Sequence, residues 1–314
     1  MTLSLAGLSL RDLAYASAVD RTRHFGRAAA ECNVSQAALS EQLRKLEDLL
    51  GAKLFERGNR RVEPTAQGAL LLRQIERVLI EAHGVLDIAR SARGPGGGIG
   101  GQMGGPLRLG AIATLGPYYL PHLLRQMRAA FPATALQLTE GQTAPLLDLL
   151  RRASLDAVLI ALPAPSDAVI AAPLFFEPFR LVCPAGHRLA ALPSVGLDDL
   201  IGDDLILLDE GHCLRDQALS LCAAAGRHAR HATSIETLWH MIAAGEGVSL
   251  LPALSTAGRE AMAGMVCVRE LPGAGRTMAL AWRRTDPRRE EFLALAALLR
   301  DQAPTLVTAP PSPA

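Results

Sequence analysis

The chain has no stretch of eighteen or more apolar residues, the length a helix needs to cross a bilayer, and no basic residue in its first ten positions. The first absence excludes a membrane-spanning helix and the second a secretory signal, so the expected location is the cytoplasm, with no membrane partner. Cysteine is scarce as well: there are five in 314 residues, an odd count spread along the chain. In a reducing compartment that usage argues against a structural disulfide framework, and the scatter argues against a zinc site. Redox chemistry or burial remains, and neither a metal nor a cofactor is implied. An excess of charge is also missing, since the formal net charge is only +1. That total hides a local excess. Residues 21–61 hold nine Arg or Lys (Arg21, Arg23, Arg27, Arg44, Lys45, Lys53, Arg57, Arg60, Arg61) against five acids (Glu31, Glu41, Glu47, Asp48, Glu56), a local +4 that fits contact with phosphates. At this length, with 49% hydrophobic and 20% charged residues, the chain can bury a large core and should divide into two or three domains.

The most informative stretch runs from Glu210 to Cys222. Cys213 follows Gly211 and His212, and Leu214, Ala218, Leu219, Leu221 and Cys222 recur at helical spacing, which places Cys213 at or just before a helix N-terminus. A helix dipole, His212 and Arg215 would all favour a thiolate there, the reactive form of cysteine. Nine residues of continuous helix would set Cys213 and Cys222 roughly 13.5 Å apart and about 180° around the axis. A disulfide between them therefore requires the helix to unwind or swing. The same spacing also describes two ordinary buried cysteines on an amphipathic helix.

Residues 1–64 read as a DNA-binding domain. Leu8 to Asp20 is predicted as a helix, followed by a short helix over Arg27–Cys32, a turn at Asn33-Val34 and a second helix from an N-cap at Ser35 to Leu50, which is helix-turn-helix spacing. The N-terminal residues of that second helix, Ser35, Gln36, Ala37 and Ser40, would lie nearest the base edges, with Arg44 a turn further on toward phosphate. Leu54 to Thr65 reads as a hairpin wing turning at Gly58-Asn59, with Arg57, Arg60 and Arg61 placed for the DNA backbone; the plainer reading is a solvated basic hairpin. Thr65 caps a linker helix over 65–93, whose apolar residues from Ala69 to Ile88, Leu79 and Val85 among them, form a stripe too long for one small domain to cover. A second copy of the chain is the natural cover, and a two-fold dimer suits a palindromic site on double-stranded DNA. Gly94 to Pro106 then packs eight glycines and two prolines into thirteen residues, and 94–105 reads as a hinge.

From 106 to 302 short strands alternate with helices. Strands are predicted at Leu107–Ile112, Ala135–Glu140, Asp156–Leu162, Arg180–Cys183, Leu205–Leu208, Val248–Leu251, Val266–Glu270 and Met278–Trp282. The expected architecture is a two-subdomain α/β effector domain like those of periplasmic binding proteins, with subdomain I at about 106–176 and 278–302, subdomain II at about 177–277, and a ligand cleft between them. The Pro-rich tail, 303–314, is expected to be disordered. Cys32, Cys183 and Cys267 are expected to be buried as small hydrophobes.

Several runs carry a family resemblance. Arg27 to Ser40, then Leu43, Leu46-Glu47 and Leu54 to Arg57, resemble the DNA-binding domain of the LysR family of transcription regulators; Ala37 departs from the usual Pro. Gly211 to Ala218 with Cys222, Gly105 to Gly110, Ala113 to Pro117, Gln142-Thr143, Glu236 to Leu238, Ala243 to Gly245, and Leu250 to Leu254 resemble the members of that family that sense hydrogen peroxide. The resemblance implies that Cys213 is peroxidatic and Cys222 resolving. It also places Thr114, Thr143, His212 and Asp216 around the peroxide and Arg276 near the thiolate. Between Cys222 and Thr233 the chain is shorter than that pattern, and His228 and His231 have no match. The implied protein is a non-enzymatic regulator, homodimeric or homotetrameric, with promoter DNA, RNA polymerase, hydrogen peroxide and cellular thiol reductants as partners. Two other classes compete: a LysR regulator taking a small organic effector in the cleft, and a thiol peroxidase, which leaves residues 1–93 idle.

Overall fold

The computed structural model describes residues 7–57, 62–91, 105–164, 168–221, 230–259 and 262–311, which fall into two compact units, 1–87 and 88–314. No helix among them is long and apolar enough to cross a membrane.

Local capping sets the first unit. Ser9 accepts from the Asp12 N–H at 3.2 Å and opens α1 (Leu10–Thr22). His24 Nδ1 accepts from Gly26 and Arg27 to open α2 (Phe25–Glu31), and Ser35 accepts from Ala38 to open α3 (Gln36–Leu50). The inward faces of the three helices, with Leu13, Val19, Ala28, Leu39, Leu43 and Leu46, make one core. Glu47 is buried beside it and ties α3 to the wing. Its Oε1 accepts from the backbone N–H of Leu54 at 2.9 Å and of Phe55 at 3.4 Å, and its Oε2 from Lys53 at 3.1 Å. The wing strands β1 (Phe55–Arg57) and β2 (Val62–Pro64) pair antiparallel; the expected turn at Gly58-Asn59 lies outside the described residues.

Thr65 joins the wing to α4 (Ala66–Ser91): its hydroxyl accepts from Gly68 at 2.8 Å and donates to Lys53 O at 2.7 Å. Leu72 and Ile75 of α4 enter the core, whereas Val78, Val85 and Leu86 stay exposed. Gly68 is where α4 presses on the chain, because a Cβ there would sit 2.0 Å from Leu54 O. A Gly68→Ala chain should therefore lose about 1–3 kcal/mol from overpacking. Urea denaturation followed at the first unit measures it, and an unchanged midpoint would contradict the close approach.

The second unit is built on one six-stranded sheet in the order β4-β3-β5-β10-β6-β9. β3 (Gly105–Ile112) leads through α5 (Gly116–Ala130) to β4 (Thr134–Gly141), and α6 (Thr143–Arg151) leads to β5 (Ala157–Ala161); β4 and β5 both pair parallel with β3. The hinge expected over 94–105 lies outside the described residues except Gly105, which belongs to β3. Two long strands, β6 (Val169–Pro184) and β10 (Val266–Arg283), then run antiparallel to each other. Between them in sequence come β7 (Leu207–Leu208), α7 (Cys213–Leu221), β8 (His231–Ala232), α8 (Ile235–Ala243) and β9 (Ser249–Pro252), and α9 (Arg289–Asp301) follows.

This corrects the reading of Val266–Glu270 and Met278–Trp282 as separate strands and of Arg180–Cys183 as a short one. Pro173, Pro178, Pro272 and Gly273 look like breaks in sequence, but the ladder absorbs them as register shifts, one between Glu270 and Gly275 and one between Met278 and Ala279. Both strands serve two cores, one containing Leu109, Tyr119, Phe175 and Trp282 and the other Phe179, Leu181, Trp239 and Leu250. The reading of the tail as disordered is also corrected over its described residues, 303–311. Val307 is buried in the first core, and Thr308 exchanges backbone hydrogen bonds with Phe176 at 2.8 and 2.9 Å. Prolines forbid a helix there but suit an extended strap, and Val307 supplies its anchor.

Candidate functional site

Cys213 is the first residue of α7 and half-buried. The helix itself sits on the second core through Leu214 and Ala218, while Cys213 packs against the first, so the thiol lies at the seam between the two. It lines a cavity of about 960 Å³ together with Thr143, Asp216, Gln217, Asp148 and Arg151. Two helices begin at this cavity, α6 at Thr143 and α7 at Cys213, so the free N–H groups and positive dipole ends of both favour an anion there. Thr143 Oγ1 is buried and has no hydrogen-bond partner among the described residues, which leaves a donor and acceptor for a ligand.

The loop before Cys213 is held by a residue that sequence reasoning did not assign. Gln142, the N-cap of α6, donates through Nε2 to Glu210 O at 3.1 Å. The same side chain packs so closely over Gly211 (φ 91°) that a Cβ there would lie 2.5 Å from Gln142 Oε1. Only glycine meets both conditions, and Gln142 precedes the unpartnered Thr143; the Gln142-Thr143 pair was the available signal.

Two cations expected to act on the thiol are differently engaged. Burial pushes the His212 imidazole below its ordinary range against the pull of Asp209, so the ring is uncharged at neutral pH. The Arg215 guanidinium donates to Leu208 O at 3.1 Å and to His231 Nδ1 at 2.8 Å, tying the start of α7 to β7 and β8.

Arg276, Thr114 and Glu177 form a second, fully buried cluster where β6 and β10 pass between the cores. Arg276 donates from Nη1 to Thr114 Oγ1 at 2.8 Å, from Nη2 to Thr114 O at 2.9 Å, and from Nε to Glu177 Oε2 at 2.9 Å. Glu177 Oε1 accepts from the Leu254 N–H at 3.1 Å. Gly275 permits the approach, since a Cβ there would lie 2.6 Å from Glu177 O. The predicted site residues thus fall into two groups: Cys213, Thr143 and Asp216 share the cavity, while Thr114, Arg276 and His212 are not in its lining. Glu177 was missed because nothing in sequence links it to a partner 99 positions away. Cys222 and His228 lie outside the described residues.

In the first unit Gln36, Ala37 and Arg44 of α3 are exposed and Ser40 half-exposed, and Arg44 Nε donates to Ser40 O at 3.3 Å. Ser35 is used as the cap. Of the wing arginines, Arg60 and Arg61 lie outside the described residues and Arg57 is placed only as a strand residue.

These two halves match known families. Residues 10–69 match the bacterial regulatory helix-turn-helix protein of the lysR family, and residues 100–304 match the LysR substrate binding domain. The chain belongs to the LysR family of transcription regulators, a family of DNA-binding regulators rather than enzymes. Within it, the chain is similar to the DNA-binding transcriptional dual regulator OxyR of Escherichia coli, 42% identical over 300 residues that cover 93% of this chain and 95% of that one. It is also similar to the structure of a full-length OxyR mutant from Pseudomonas aeruginosa, with a TM-score of 0.71, 37% identity and 96% of each chain covered. A hydrogen-peroxide-bound OxyR mutant from Corynebacterium glutamicum gives a TM-score of 0.61 at 32% identity, covering 94% of this chain and 92% of that one.

Proposed function

We propose that this protein is a peroxide-responsive transcription regulator in which Cys213 is oxidised to a sulfenic acid and then joined to Cys222. The oxidation changes the effector unit and, through it, DNA binding. The observation that carries the reading is the half-buried Cys213 at a helix start on the seam between two cores, lining one cavity with Thr143, whose hydroxyl has no partner among the described residues. Thr143 and Asp216 bind the peroxide, and Gln142 fixes the loop. His212 and the Arg276–Thr114 pair position the surrounding chain. Reset depends on cellular thiol reductants, since oxidation consumes the site stoichiometrically. Adding one equivalent of hydrogen peroxide to the purified chain, followed by mass mapping, should link the peptides of Cys213 and Cys222. Unchanged thiols at both positions would reject the reading. A cavity of about 960 Å³ is larger than peroxide fills and lies within the range of organic-ligand pockets, so a small organic effector is the second reading. It predicts that DNA binding responds to such a ligand with both thiols intact.

On the DNA side, α3 enters the major groove of promoter DNA, from which RNA polymerase is recruited, and the exposed Val78 and Val85 of α4 meet those of a second copy to form the dimer from which a tetramer assembles. Affinity should fall steeply with salt; Arg44→Ala should weaken binding to every sequence alike, and Gln36→Ala should remove about 1–3 kcal/mol of discrimination at one base pair. Quantitative footprinting across a salt series reads both. Replacing Val78 and Val85 by Asp should give a monomer in sedimentation that no longer holds its operator; an unchanged oligomer would refute the interface.

A further inference from the structure

Cys183 and Cys267 stand apart from the Cys213 site, on the long antiparallel pair β6 and β10. The register sets them directly opposite each other, and residues so paired project to the same face of the sheet. Directly opposed Cα atoms in such a ladder lie about 4.5–5.5 Å apart, within the span a disulfide bridges. The ladder is intact around them, since Ala185 N–H donates to Met265 O at 2.9 Å just beyond the pair. The Cys183 thiol already turns toward its opposite number, with Sγ 3.8 Å from Cys267 O. Exposure divides the two. Cys183 is wholly buried in the second core, whereas Cys267, expected from sequence to be buried, is half-exposed. We infer that Cys183 and Cys267 form a second redox couple, in which Cys267 meets the oxidant and Cys183 closes a cross-strand disulfide without movement of the backbone.

The chemistry balances with a hydroperoxide as oxidant. Cys267 Sγ gives an electron pair to the O–O bond and becomes a sulfenic acid, while the released hydroxide takes up a proton and leaves as water. Cys183 Sγ then attacks Cys267 Sγ and expels hydroxide, which takes the second thiol proton and leaves as water. Two thiols and one peroxide thus give one disulfide and two waters. The order follows from the surroundings: burial, reinforced by the neighbouring Cys267, pushes the Cys183 thiol up to about 11, so it is a poor first nucleophile. The cation that acts on Cys183, Arg269, is engaged with the carbonyls of Ala190 and Leu192, so the couple responds at higher oxidant load than Cys213 does. It does not rest on the reading of Cys213.

The test uses the full chain carrying Cys213→Ser, which removes the competing site. Stepwise excess of hydrogen peroxide, quenching and peptide mapping should recover the peptides of Cys183 and Cys267 linked, with the loss of two free thiols. Adding Cys183→Ala, which keeps a small apolar group in the core, should abolish the link and leave a sulfenic acid at Cys267 that dimedone traps. Recovery of Cys183 and Cys267 as free thiols at every peroxide level, or linkage of Cys267 to Cys32 or Cys222 instead, would overturn the proposal. So would peroxide reaction at Cys183 in a Cys267→Ser chain as fast as the pair reacts together.

Discussion

A Cys213→Ser chain is expected to lose rapid oxidation by hydrogen peroxide, with the rate falling at least about a hundredfold, the smallest loss typical of deleting a single preorganised group. The expectation rests on placement. Cys213 is the only thiol among the described residues that lines the cavity fed by two helix starts, and a serine hydroxyl at its position cannot give an electron pair to the O–O bond under mild conditions. A Cys222→Ser chain should behave differently: Cys213 should still form a sulfenic acid, trappable by dimedone, but no intramolecular disulfide. Between the two steps the chain is expected to move, because Cys213 is seated against the first core and nine residues of continuous helix would hold the two thiols roughly 13.5 Å apart. Stopped-flow oxidation followed by acid quench and mass mapping separates the steps. Rapid consumption of one equivalent of peroxide by Cys213→Ser would end the assignment, as would faster alkylation of Cys222 than of Cys213 across the pH range.

The second large effect is on stability. Arg276→Ala should destabilise the effector unit by about 3–5 kcal/mol, because among the described residues it leaves the buried Glu177 carboxylate with the Leu254 N–H as its remaining partner and strips Thr114 of both its guanidinium bonds. Arg276→Lys should recover part of the loss, since an ammonium can meet one partner but cannot fork across two. Replacing both charges, as in Arg276→Met with Glu177→Gln, should cost less than Arg276→Ala alone, the signature of a coupled pair. Urea titration of the full chain, followed at Trp239 and Trp282 in the effector unit, measures all three. A midpoint shift equivalent to less than about 1 kcal/mol for Arg276→Ala would show that the cluster is not holding the strand crossing.

Much of this was legible in sequence where the signal was local. Ser35 and Thr65 cap helices because a side-chain oxygen three residues from a free N–H is a property of the segment itself, and Cys213 falls at a helix start for the same kind of reason. The apolar spacing of α3 likewise exposes Ala37 and Arg44 without reference to the rest of the chain. What was not legible depends on tertiary surroundings. His212 reads as a cation beside a thiol until burial removes its charge, and Arg215 reads as free until His231 arrives from β8. Glu177 sits in a run of mixed character, and only the pairing of β6 with β10 brings it to Arg276. Pro178 and Gly273 read as strand ends because punctuation in sequence does not distinguish a terminus from an irregularity inside a ladder.

The continuity of β6 and β10 determines what kind of joint the effector unit possesses. Each is a single strand with one end in each core, cross-linked to the other by main-chain hydrogen bonds along most of its length. The halves therefore cannot swing apart like covers on a flexible spine. They are carried on a pair of torsion bars, clamped near the middle by the Arg276–Glu177 contact and strapped at Phe176 by the C-terminal segment. A displacement of one half against the other would therefore be taken up as twist distributed along the bars rather than as rotation about a single point.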